Sequence, residues 1–278
     1  MKLPRLRTLL LVPVLFFVLL YLGIAIIVAL DARSIEALDT PAATADTIVI
    51  FGASGTAGDG ILAAALDDPG VDAIHVITRR STPRIAAGAE AGKVQVTMHT
   101  DYLDYSSLRP LLADADAVFW AIGTSSIGVD EETYARIHVD FPATFVAAWR
   151  ALGDRPGSRF HYISSSDISA ESTAMWAREK FRAEQTLFAL AADTGLDVIA
   201  YRPDYIGPTP ETTRLGQELL YGFFAPVGAA VRARQIGEAM LEVTARGEQF
   251  DNGDIVGTYS IRRLSDAYRR RVAARQPK

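Results

Sequence analysis

Between residues 47 and 246, short β-branched runs alternate with stretches of helical periodicity. The strand-like runs cover 47–51, 73–78, 94–99, 117–122, 160–164 and 198–202. Helices are expected near 57–66, 106–113, 131–152, 172–194 and 234–246. A strand that returns parallel to its predecessor needs a crossover of a dozen residues or so, which a helix supplies. The alternation therefore predicts βαβ units and a doubly wound parallel sheet of the α/β class, spanning residues 46–261.

The first βα turn carries the chemical signal. Strand 47–51 runs into Gly52-Ala53-Ser54-Gly55-Thr56-Ala57-Gly58, a G-x-x-G-x-x-G pattern at a strand-to-helix junction. Glycine permits the tight turn and lets backbone N–H groups close on a pyrophosphate at the positive end of the helix. Three glycines in a turn mean little alone; directly after the first strand they favour a Rossmann-type dinucleotide site. The second strand ends Val76-Ile77-Thr78-Arg79-Arg80. NAD sites usually offer a carboxylate here to the ribose hydroxyls. Arg79 and Arg80 instead suit a 2′-phosphate, which a guanidinium grips through paired, charge-assisted hydrogen bonds, so NADP is favoured over NAD. Two exposed loop arginines would be the plain alternative.

Further segments join these: 100–108 (TDYLDYSSL), 116–124 (DAVFWAIGT), 162–165 (YISS) and Tyr201-Arg202-Pro203. Together they resemble the atypical, NAD(P)H-binding branch of the short-chain dehydrogenase/reductase superfamily, nearest its Tat-interacting-protein-like oxidoreductases. The resemblance implies that Asp101 and Tyr102 flank the adenine and that Ala121, Ile122 and Gly123 line the cofactor with backbone. It also implies a Tyr-x-x-x-Lys pair with a serine upstream. In that pair the Tyr moves a proton to or from the substrate oxygen, while the Lys lowers its pKa and holds the nicotinamide ribose. Ser164, Lys180 and Glu184 fit, but Trp176 stands at the Tyr position. Indole donates one N–H and is no general acid at neutral pH, and losing such a group typically removes about 10²–10⁴-fold of rate. Ser164, Ser165, Ser166, Tyr162 and Tyr134 offer other hydroxyls, none at the family's spacing. Read without the family, Trp176 is an apolar anchor of an amphipathic helix, Lys180 one of its solvated charges, and Asp101 a turn cap.

Ahead of this unit, residues 9–30 carry no charge. As a helix they reach about 33 Å, enough for a hydrocarbon core of about 30 Å. A cleaved signal would have an apolar region of about 7–15 residues and an A-x-A-like site. A retained single-pass anchor over 1–30 is therefore expected, with a linker over 31–45. Lys2, Arg5 and Arg7 precede the span, while Asp31, Arg33, Glu36 and Asp39 follow it. The positive-inside rule then puts the domain outside the cytoplasm, whereas supply of the cofactor argues for the cytoplasm. The side is left open.

Charge divides the rest. Of the formal −5, residues 262–278 hold +6 and the N-terminus +3, leaving −14 for 31–261. An acidic body argues against a nucleic-acid-binding domain. The tail over 262–278 reads as a solvated helix or a headgroup contact. With no Cys, thiolate chemistry is excluded, and four scattered His lack ligand spacing, so no metal site is expected. The apolar stretch 215–231 reads as core, a lid or an apolar substrate wall.

Two functions follow as expectations. One is a membrane-anchored NADP-dependent oxidoreductase or epimerase-like enzyme acting on a small or lipophilic substrate. The other is a non-catalytic NADP-binding sensor, assembly factor or scaffold. Assembly as a homo-oligomer is left open.

Overall fold

A computed structural model describes residues 6–31, 47–153, 156–213 and 215–275. Nearly all of the expected linker, together with Lys2 and Arg5, lies outside the described residues. The chain opens with α1 (Leu6–Leu30), whose window Pro13–Leu30 has a mean hydropathy of 2.8 and is long and apolar enough to cross a membrane.

Six strands follow: β1 (Thr47–Phe51), β2 (Ala73–Thr78), β3 (Val94–Met98), β4 (Ala117–Trp120), β5 (Ser158–Ile163) and β6 (Leu196–Arg202). The helices between them are α2 (Thr56–Asp67), α3 (Pro83–Glu90), α4 (Arg109–Ala113), α5 (Glu131–Ala135), α6 (Phe141–Arg150) and α7 (Met175–Ala191). A π-helical turn, Arg136–Asp140, joins α5 to α6, so the helix expected over 131–152 is one unit interrupted by a π turn. Beyond β6 come β7 (Tyr205–Gly207), α8 (Leu215–Phe224), β8 (Ala230–Arg232), α9 (Ala233–Ala245), β9 (Ile255–Gly257) and α10 (Thr258–Arg275).

The main sheet has seven parallel strands in the order β3-β2-β1-β4-β5-β6-β9, which is the doubly wound architecture read from the sequence. Both faces are covered, and β1 shows why its residues form such a strand. Ile48 and Ile50 enter one core with α2 and α9, while Val49 and Phe51 enter the other with Phe145, Trp149 and Leu187. A strand buried on both sides must be apolar without interruption. The strand order reverses between β1 and β4. That reversal opens a crevice at the carboxyl ends of the strands, where open α/β sheets bind ligands.

Helices α2 and α9 meet backbone to backbone. A Cβ on Gly60 would lie 2.2 Å from the Ala233 carbonyl carbon, and one on Gly237 would lie 2.6 Å from Ile61 Cα. No spacing rule flags this contact, because the two glycines are 177 residues apart.

The expected boundary between 261 and 262 falls inside α10. Ile261, Leu264, Ala267 and Tyr268 are buried. Arg269 Nε donates to Glu238 Oε2 at 2.9 Å, and Arg271 Nε to Glu242 Oε2 at 2.7 Å. Part of the basic tail thus neutralises two carboxylates that are 2% and 1% exposed on α9, instead of forming a solvated helix.

Candidate functional site

The three glycines of the first turn do different work. Gly52 has φ +79, and a Cβ there would meet the Ala121 carbonyl carbon at 2.6 Å. A Cβ on Gly58 would sit 2.1 Å from Gly52 O, so the first turn of α2 rests directly on the loop. Gly55 closes the turn by donating its N–H to Gly52 O at 3.0 Å, yet a Cβ on it would find only that oxygen, at 3.4 Å. Gly52 and Gly58 are architecture; Gly55 faces open space. Gly55 is also the N-cap of α2 and no side chain among the described residues caps it, which leaves first-turn N–H donors for an anion.

Above the loop lies a cleft of about 710 Å³, within the range of about 300–1,000 Å³ for small-molecule sites. Gly52, Ser54 and Gly55 line its floor, Arg79, Arg80 and Tyr102 one wall, and Ala121, Ile122 and Gly123 another. Thr56 lines an adjoining cleft with Ser54 and Gly55, while Ala57 and Gly58 stand behind it in α2. Asp101 is absent from the wall. Its Oδ1 accepts from Leu103 N at 3.0 Å, so it caps a turn, and the expected adenine-flanking role has no support in its placement. The same cleft is lined by Thr78, Thr124, Thr133, Arg136, Ile137 and Phe141, which sequence reasoning missed. The last four lie on α5, the π turn and the start of α6.

Arg80 Nη2 donates to Ser54 O at 3.1 Å, tying the end of β2 to the glycine loop. Arg79 makes no hydrogen bond or ion pair among the described residues, and its charge is felt at Tyr102.

Ser164 follows β5, and Trp176 and Lys180 lie on α7, with Lys180 reaching the end of β5. Lys180 is 7% exposed, not a solvated charge. Its Nζ donates to Ile163 O at 2.8 Å and to Tyr162 Oη at 3.4 Å. Burial lowers its pKa to about 7, opposed by the carboxylate of Glu184. Glu184 is itself fully buried, with Oε1 accepting from Arg202 Nε at 3.0 Å. Ser164 is buried and its Oγ has no partner among the described residues. Trp176 is half-buried, one turn before Lys180.

The neighbouring tyrosines are poor substitutes for a catalytic one. Burial and the Glu179 charge push the Tyr134 hydroxyl up to about 12. Burial also raises Tyr162 well above the ordinary tyrosine value, and its hydroxyl donates to His138 O at 3.0 Å. His138 stacks on Tyr134 with ring centroids 4.1 Å apart, and burial lowers it to about 2, so its ring is neutral. Its Nε2 lies 3.1 Å from Thr124 N, beside the cleft.

The depressed Lys180 predicts a pH dependence. Between about pH 7 and 10.5 the folded chain binds fewer protons than the unfolded one at this site. Stability therefore rises with pH across that window, and the full penalty applies below it. Lys180→Met should flatten this rise, stabilising the chain by roughly a few kcal/mol near pH 6.5 and by nothing near pH 10.5. Denaturant unfolding at both pH values checks it.

A glycine loop at the switch point of a doubly wound sheet is the arrangement of the dinucleotide-binding α/β folds. Residues 48–215 match the NAD dependent epimerase/dehydratase family, and the chain belongs to that family. Leucinostatins biosynthesis cluster protein T of Purpureocillium lilacinum is 30% identical over 146 residues, 52% of this chain and 52% of that protein, so the chain spans about half the length of that relative. Protein fmp52, mitochondrial, of Emericella nidulans is 27% identical over 184 residues, 65% of this chain and 76% of that one. UDP-glucuronic acid 4-epimerase from Bacillus cereus, solved in complex with NAD, superposes with a TM-score of 0.59 at 14% identity, covering 76% of this chain and 77% of that one. A short-chain dehydrogenase/reductase variant of Serratia marcescens gives 0.60 at 18%, covering 80% and 100%. At these identities the structural likeness is one of fold.

Proposed function

We propose that the chain is an NADP-dependent oxidoreductase or epimerase-like enzyme, tethered to a membrane by α1, acting on a small or lipophilic substrate. One observation carries the choice of cofactor: the cleft over the glycine loop is walled at the end of β2 by Arg79 and Arg80, not by a carboxylate. The residues fit the group. Gly55 leaves room beside uncapped N–H donors for the pyrophosphate, and the two arginines can take the 2′-phosphate. Bound there, the nicotinamide would supply the hydride. Lys180 would hold its ribose, and Ser164, whose Oγ has no partner among the described residues, would meet the substrate oxygen.

Replacing both arginines (Arg79→Ala with Arg80→Ala) should weaken NADPH by about 10–100-fold, the worth of hydrogen bonds to a charged group, and leave NADH within a few-fold. Fluorescence titration of the full chain reads both ligands. Equal losses for the two would remove the basis for NADP.

A second reading has its own support. With Trp176 at the tyrosine position, and Tyr134 and Tyr162 both held well above neutral pH, the chain favours a non-catalytic NADP-binding sensor, assembly factor or scaffold. Incubation with NADPH and a panel of carbonyl compounds separates the two. Turnover that climbs on Trp176→Tyr supports the enzyme; tight binding with no turnover in either form supports the sensor. The side of the membrane follows from a C-terminal reporter that is active only in the cytoplasm. Activity there would place the domain with the NADPH supply and against the charge rule.

A further inference from the structure

Helix α8 presents two unlike faces. Its inner face is fixed to the small β7–β8 sheet. A Cβ on Gly207 would lie 2.3 Å from the Tyr221 ring, the Arg232 guanidinium sits 3.5 Å from that ring's centroid, and Arg232 Nη1 donates to Glu218 Oε2 at 2.7 Å. Its outer face is apolar: Leu215, Leu219, Leu220 and Phe223 are 79, 66, 48 and 58% exposed. Their spacing of i, i+4, i+5 and i+8 makes one stripe, and isolated surface leucines would not align in this way.

The stripe is continuous with α1. Tyr21 stacks on Phe223 with centroids 5.4 Å apart, and its hydroxyl donates to the Phe223 carbonyl at 2.8 Å. Farther along, Val28 lies 3.4 Å from a Cβ placed on Gly228, and Asp31 meets the Tyr259 hydroxyl. Tyr21 precedes Leu30, the last residue of the apolar span, by nine positions, which is about 13 Å of helix. Phe223 is therefore held against the apolar part of the span, inward of its end at Leu30. Cationic groups stand at that end: Arg262 Nη1 is 3.6 Å from the same Gly228 position, and Arg263 lies over the Tyr259 ring. Such residues suit headgroups.

We infer that α8 is a second membrane element, an amphipathic helix whose Leu215-Leu219-Leu220-Phe223 face lies in the bilayer beside α1. The inference rests on α1 being a membrane anchor. Gln217, on the same helix, lines the cleft that contains Ser54, Gly55 and Thr56, so the seated helix would also fix the roof of the glycine loop at the membrane surface.

The chain has no cysteine, so one introduced residue carries one label. Leu219→Cys, Leu19→Cys in α1 and Ala91→Cys, before the amino end of β3 and away from α8, are each labelled with an environment-sensitive fluorophore. The full chain is then placed in phosphatidylcholine vesicles with or without spin-labelled lipid. The expected result is several-fold brightening and lipid quenching at 219 and 19, with neither at 91; Leu215→Cys should repeat the result for 219. A label at 19 in lipid with 219 behaving like 91 would overturn the α8 inference and leave the anchor standing. Both 19 and 219 in water would overturn the anchor as well. Brightening at 219 that follows protein concentration and ignores spin-labelled lipid would mean that a second copy of the chain covers the face, which also overturns it.

Discussion

Gly58→Ala is expected to cost about 3 kcal/mol or more, the upper part of the range for overpacking, and to lower the melting temperature by roughly 6–12 °C. The added methyl would sit 2.1 Å from Gly52 O, 2.5 Å from Gly52 C and 2.8 Å from Ala53 Cα. All three are backbone atoms, so no side chain can swing aside. Gly52 cannot retreat either, because a Cβ at its own position would already meet Ala121 at 2.6 Å. The loop is clamped between β4 and α2. Gly55→Ala meets only one oxygen at 3.4 Å and should leave the melting temperature almost unchanged. Thermal unfolding of the two alanine variants side by side checks the distinction. Equal melting temperatures would contradict it.

Glu184→Ala should be about as damaging for a different reason. Its carboxylate is fully buried, pairs with Arg202, and partly offsets the desolvation of Lys180. Truncation leaves a largely buried guanidinium and a buried ammonium without their anion, a loss of about 3–5 kcal/mol. The lysine pKa should fall further, so the variant should recover part of its stability as the pH rises toward 9. Denaturant unfolding at pH 7 and pH 9 reads both effects. A loss below about 1 kcal/mol at pH 7, the scale of an exposed pair, would show that the pair is not buried in solution.

The parts of this fold that were legible in the sequence are those whose residues are constrained locally. Strands β1 and β2 are buried runs whose ends are marked by Gly52 and by the Thr78-Arg79 step, and their bounds coincide with the expected ones. The three-residue strands β7, β8 and β9 were not legible, because three residues show no period. Helix α3 has a readable start, Thr82 capping Ile85 N ahead of Pro83, but only Ile85 and Gly88 are buried, too few to reveal an apolar stripe. Lys180 carried a signal that went unused. It shares one helical face with Ala177, Ala183, Glu184, Leu187 and Ala191, all buried, and a charge on an apolar stripe is a buried charge. Of the candidate cleft, the residues that follow β1, β2 and β4 line it together, as consecutive residues at the ends of neighbouring strands must. Thr133, Arg136, Ile137 and Phe141 share one face of the helical unit, but which face meets the cleft depends on packing that no local spacing shows.

Binding of NADPH to the full chain, measured by titration calorimetry beside NADH and beside the Gly55→Val variant, bears most directly on the central reading. The wild-type chain should bind NADPH at least tenfold tighter than NADH. Gly55→Val should keep its fold and lose the dinucleotide, because the position has room in the protein and none beside a phosphate. Equal affinity for the two cofactors, or NADPH binding unchanged by Gly55→Val, would contradict an NADP site over the glycine loop.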